Sequence, residues 1–78
     1  MKIMQAEILK NIEGTNFKKG LKLELVKTIN NIYGTAIYSF IKLKKSGEQT
    51  SYMNLNNHYS MNVEKFYEGV NKGFIKEV

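Results

Sequence analysis

Between Thr35 and Asn56 the sequence sets aromatic rings and ammonium groups at alternate positions. Tyr38, Phe40, Lys42 and Lys44 share one parity, and Ile37, Ile41 and Leu43 share the other. After Ser46-Gly47-Glu48, a turn by composition, Tyr52, Asn54 and Asn56 alternate with Met53 and Leu55. Strand side chains switch faces at every residue. A β-hairpin over this stretch would be aliphatic on one face and both aromatic and cationic on the other. Rings that stack on bases beside lysines that follow phosphates are what an unpaired nucleic acid strand requires of its binder. The candidate set is Tyr38, Phe40 and Tyr52 with Lys22, Lys42 and Lys44. The loop lysines Lys18, Lys19 and Lys45 stand beside glycines, where they could catch phosphates. Each feature has a plainer reading. Rings can pair across strands or line a dimer interface, and turn lysines can simply be solvated.

Other chemistries are poorly supplied. His58 is the only histidine and there is no cysteine, so no structural zinc site can be built. No metal or cofactor is expected. Acid–base or nucleophilic work by His58, Tyr59 or Ser60 would need an orienting partner and a pocket. The seven glutamates are scattered along the chain, and no enzyme is expected. Gly14, Gly20 and Gly34 fit neither phosphate-loop spacing.

Seventy-eight residues make one small domain with a limited core. Without disulfides, dimerisation is the remaining route to a larger buried surface, and a homodimer is expected. Lack of cysteine fits a cytoplasmic location. No apolar run reaches the length of a signal peptide or a membrane span. The net charge is +5 and all 12 basic residues are lysine. Absence of arginine, aspartate and proline, with abundant Lys, Asn and Ile, suggests an AT-rich genome, such as a low-GC bacterium, its phage or a plasmid. Lysine is a point charge without arginine's fork, so loose phosphate contact is favoured over reading of base edges.

The elements that would position these residues follow from pattern. Met1 to Ile12 is read as a first strand, and Glu13-Gly14-Thr15-Asn16 as a turn. Leu21 to Ile29 is a second strand whose alternation breaks at Lys27, marking a bulge or the end of burial. Asn30 to Gly34 reverses the chain into the hairpin, which supplies strands three and four. His58-Tyr59-Ser60 is a connection. Ser60 or Asn62 caps a helix with Val63, Phe66, Tyr67, Val70 and Phe74 on one stripe. Glu68 and Lys72 form an i, i+4 pair. Gly73 is a C-cap, and Phe74 to Val78 is a tail or a frayed extra turn. The expectation is an α+β fold, a four-stranded antiparallel sheet followed by one C-terminal amphipathic helix. That helix would cover the aliphatic face (Leu21, Leu23, Leu25, Ile37, Ile41, Leu43, Met53, Leu55) and leave the rings open.

This arrangement resembles the single-stranded-DNA-binding domain of the transcription positive cofactor 4 family. The resemblance runs from Gly20-Leu21-Lys22-Leu23-Glu24-Leu25 to Phe66-Tyr67-Glu68-Gly69-Val70, about two thirds of the chain. It implies dimerisation through the helix and strand binding on curved sheets, with Lys22, Tyr38, Phe40, Lys42 and Tyr52 as contacts. Single-stranded DNA or RNA is the expected partner, bound with low sequence specificity. The alternative is a phage- or plasmid-encoded accessory protein that inhibits a host or defence protein.

Overall fold

The computed structural model describes residues 3–78. Five strands and one helix follow one another: β1 (Gln5–Ile8), β2 (Lys22–Asn30), β3 (Ala36–Lys42), β4 (His58–Asn62), α1 (Val63–Asn71) and β5 (Ile75–Glu77). The sheet is antiparallel throughout, in the order β4-β3-β2-β1-β5. The α+β class and the single C-terminal helix are as expected. The strand count is corrected from four to five. Part of the anticipated first strand, Met1 and Lys2, falls outside the described residues.

β2 and β3 form the central hairpin. Gly34, at φ +79°, takes a left-handed turn conformation that glycine adopts without strain. Asn31 braces the turn by accepting from the backbone N–H of Tyr33. The expected break near Lys27 is a bulge: the register shifts between Leu25 and Lys27.

α1 starts where Asn62 Oδ1 accepts from the backbone N–H of Glu64. It ends in a Schellman motif. Gly73 (φ +80°) donates to Val70, and Phe74 donates to Gly69 at 2.8 Å, which satisfies carbonyls the helix would leave bare. The reversal at Gly73 returns the chain along β1, where Ile75 pairs with Ile8. The expected tail is therefore β5.

The fourth strand also lies elsewhere than expected. Ser46-Gly47-Glu48 does turn the chain, and Leu43 bridges to Gln49. Pairing then stops. Residues 51–57 form a loop with a 3₁₀ turn at Leu55–Asn57, capped by Asn54. Two asparagine side chains, Asn54 and Asn57, bond nearby backbone and so compete with a ladder. Met53 and Leu55, expected under the helix, are 88% and 85% exposed. β4 is the next five residues, where Tyr59 and Met61 alternate with His58, Ser60 and Asn62.

Candidate nucleic-acid interface

Strand parity along β3 is as read from the sequence, but the helix covers the other face. Ala6 pairs with Leu23, Leu25 with Phe40, Tyr38 with Met61, and Phe40 with Tyr59. These residues face α1. The Phe40 ring stacks on Phe66 at 5.6 Å and Tyr38 meets Phe66 edge-on at 5.4 Å. Phe40 is wholly buried, within a core of Ala6, Ile8, Phe17, Leu23, Phe66 and Ile75. Tyr38 is half-buried, and its hydroxyl reaches that of Tyr67 at 3.2 Å.

The expectation of an open aromatic face at Tyr38 and Phe40 is thus corrected. Large rings carry the greatest apolar area per residue, and α1 offers Phe66 and Tyr67 to meet them. Tyr52 does not join them either. It lies in the loop after β3, its ring 4.7 Å from His58, whose Nε2 bonds the Tyr52 carbonyl at 2.6 Å.

The aliphatic residues of β3 lie on the opposite face, also contrary to expectation. Ile41 pairs in register with Glu24 and His58 and is fully buried. The loop that follows is tied back to the sheet. Gln49 donates to Glu24, Thr50 donates to the Lys42 carbonyl, and Asn57 donates to the Ser51 carbonyl. The segment expected to be the fourth strand is therefore a loop, tied to β2 through Glu24 and to β3 through the Lys42 carbonyl.

The lysines fare differently. Where β2 begins and β3 ends, two adjoining concavities share Gly20, Leu21 and Lys42. One, of about 410 Å³, is also lined by Lys22, Leu43, Lys44, Lys45 and Thr50. The other, of about 350 Å³, is also lined by Asn16, Lys18, Lys19 and Tyr59. All six lysines singled out in the sequence meet here. Gly20 allows this convergence: at φ +91° it turns the chain from the Lys18-Lys19 loop into β2. Asn11 Oδ1 accepts from the Lys19 backbone N–H at 2.8 Å and holds that loop in place. No carboxylate lines either concavity among the described residues. Glu7 lies across from Lys22 in the β1–β2 register, and the Glu48 carbonyl accepts from the Lys44 backbone N–H across the turn at 2.7 Å.

The one ion pair among the described residues is elsewhere, between Lys72 and Glu68 on α1 at 2.8 Å. The ammonium of Lys72 holds the Glu68 carboxyl below its usual range. That pair is the one expected from helix spacing. Packed lysines without counter-charges repel one another weakly in water and attract any polyanion that spans them.

Tyr59 is the residue that sequence reasoning missed. The connection expected at His58-Tyr59-Ser60 is the start of β4, and His58 to Asn62 alternates polar and apolar, a pattern that signals a half-buried strand.

Comparison with protein-family models, with curated proteins and with solved structures finds no match. No helix among the described residues is long and apolar enough to cross a membrane.

Proposed function

We propose that the protein is a non-catalytic nucleic-acid-binding protein that grips the phosphodiester backbone with lysines and takes little account of base sequence. The observation that carries this reading is the set of six lysines around two joined concavities that no carboxylate lines among the described residues. Ammonium groups neutralise phosphates as point charges and release condensed counterions. They carry no base code, so affinity depends on charge and salt rather than on sequence. Tyr38 and Phe40 have no part in this contact, since α1 covers them. A single strand such as oligo-dT is the first ligand to test.

Fluorescence anisotropy with oligo-dT across a salt series tests the proposal. Six phosphate contacts on a single strand give a slope of log affinity on log salt of about −4. Absence of binding at low salt would refute it. So would an unchanged slope after all six lysines are replaced by glutamine.

A second reading rests on the tip of the β2–β3 hairpin, where Ile32 and Tyr33 are 91% and 84% exposed. Bare apolar side chains at a protruding tip suit a protein partner, as an accessory inhibitor of a host protein would need. Nuclease treatment before a pull-down distinguishes the two: a direct protein partner survives it.

A further inference from the structure

We infer that the Tyr59 hydroxyl is a phosphate ligand of the lysine concavity, a neutral donor that fixes where the backbone sits. This inference rests on the nucleic-acid reading above and adds a contact of a different kind to it.

Three observations lead there. First, Tyr59 is the only aromatic residue that lines either concavity, among Asn16, Lys18, Lys19 and Lys42. Second, its ring is held from one side. Tyr59 faces Phe40 across the β3–β4 register, and its ring lies 5.5 Å from that of buried Phe17 at a 54° tilt. Third, its hydroxyl makes no hydrogen bond among the described residues, whereas the hydroxyls of Tyr38 and Tyr67 meet each other at 3.2 Å. A tyrosine with an anchored body and a free polar tip presents its donor to whatever enters. Tyr59 shares its concavity with Lys18, Lys19 and Lys42, where a phosphate oxygen would come to rest. Tyrosine hydroxyls are among the side chains that position phosphates on proteins.

A neutral donor differs from a lysine in one measurable respect. It releases no counterion, so it changes the affinity at every salt concentration by the same factor and leaves the salt slope alone. Removing a lysine changes the slope. Tyr59→Phe deletes the oxygen and keeps the ring against Phe17, so the fold is expected to survive it. The experiment titrates oligo-dT and a duplex of equal phosphate count against the wild-type protein, Tyr59→Phe and Lys42→Gln over a salt series.

The expected result is that Tyr59→Phe weakens both ligands about ten-fold with an unchanged slope, while Lys42→Gln flattens the slope. Wild-type affinity in Tyr59→Phe would overturn the hydroxyl contact while leaving the lysine reading intact. Loss of oligo-dT binding alone would overturn it too, because that pattern belongs to base stacking. Failure of the wild-type protein to bind either ligand would remove the parent reading and this inference together. A check that needs no variant is the hydroxyl proton. In the wild-type protein, added oligo-dT should slow exchange of the Tyr59 hydroxyl proton, seen by NMR, and leave that of Tyr33 unaffected. Equal exchange with and without the strand would count against the contact.

Discussion

Phe40 and Lys42 stand two residues apart on the same face of β3, and their surroundings are opposite. Phe40 is sealed between the sheet and Phe66. Lys42 is exposed and lines both basic concavities. The boundary between the core and the proposed interface therefore falls within one strand, between Phe40 and Lys42. The rings on the covered side supply cohesion. The lysines beyond it supply charge that the fold does not consume. A face of a sheet is thus not a unit of function; what matters is how far along it the helix reaches.

The largest effect should come from the covered side. Phe66→Ala removes the ring that touches Phe40, Tyr38 and Tyr67, and truncation of a buried phenylalanine costs about 3–5 kcal/mol. That is a large share of the stability of a small domain. Urea denaturation should show the transition moved to much lower denaturant or lost. Phe40→Ala should behave alike. Were Phe40→Ala to stay fully folded and lose nucleic acid affinity, the division between core and interface would be misplaced.

The uncovered side should respond in the opposite sense. Replacing Lys18, Lys19, Lys42 and Lys44 together by glutamine removes four charges that pair with no carboxylate among the described residues. Surface substitutions of this kind usually change stability by less than about 0.5 kcal/mol each. The melting temperature should hold or rise slightly as repulsion falls. The salt slope for a single strand should shrink by about 3. A quadruple variant that melts well below wild type would show that these lysines brace the fold and are not free for a ligand.

The comparison also explains what could be read from the sequence and what could not. Parity was legible: Tyr38, Phe40 and Lys42 do share a face, as do Ile37 and Ile41. The Glu68–Lys72 pair and the stop at Gly73 were legible too, and the break at Lys27 and the cap at Ser60 or Asn62 were each narrowed to two readings, because each depends on residues a few positions apart. Which face α1 would choose was not legible, because β3 offers an apolar set on both. The deciding signal was distributed. The helix stripe is itself aromatic at Phe66 and Tyr67, and Tyr59 and Met61 share the parity that extends the ring-bearing face. β5 is three residues long and too short to show a period. It exists because Gly73 turns Ile75 back against Ile8. The lysine site was legible as a list of residues and not as a place, since the Lys18-Lys19 loop and the Lys44-Lys45 turn meet only after β2 and β3 have paired.

The contact between α1 and β5 gives a smaller test confined to the covered side. A Cβ built on Gly69 would lie 2.6 Å from Ile75 Cδ1 and 3.0 Å from Cγ1, and Ile75 is buried with little room to move. Alanine improves helix propensity by about 1 kcal/mol, but overpacking costs about 1–3 kcal/mol. Gly69→Ala should therefore destabilise modestly. Adding Ile75→Val removes the clashing methyl, so the double variant should be more stable than the sum of the single changes indicates. Simple additivity would mean that Ile75 swings aside without cost. Neither change should alter the salt slope of nucleic acid binding.

The smallest effect belongs to the outer edge of the covered side, where Tyr67 is 39% exposed. The hydroxyl of Tyr67 pairs with that of Tyr38, and this hydrogen bond, ahead of desolvation, pushes the Tyr67 pKa up from 10.0 to about 12. A phenol whose pKa is raised in the folded state favours folding in its neutral form. Its contribution is complete below pH 10. It declines as pH rises toward 12, because the unfolded chain gives up that proton first. Tyr67→Phe removes the group, at a cost of order 1 kcal/mol or less for an exposed hydrogen bond. All other titratable groups are common to both proteins, so the difference between wild type and Tyr67→Phe isolates the phenol. The melting-temperature gap should be steady from pH 7 to 9 and close between pH 10 and 12. A gap that persists unchanged to pH 12 would mean that the two hydroxyls do not share a proton in solution, leaving ring packing alone to hold Tyr38 beneath the helix.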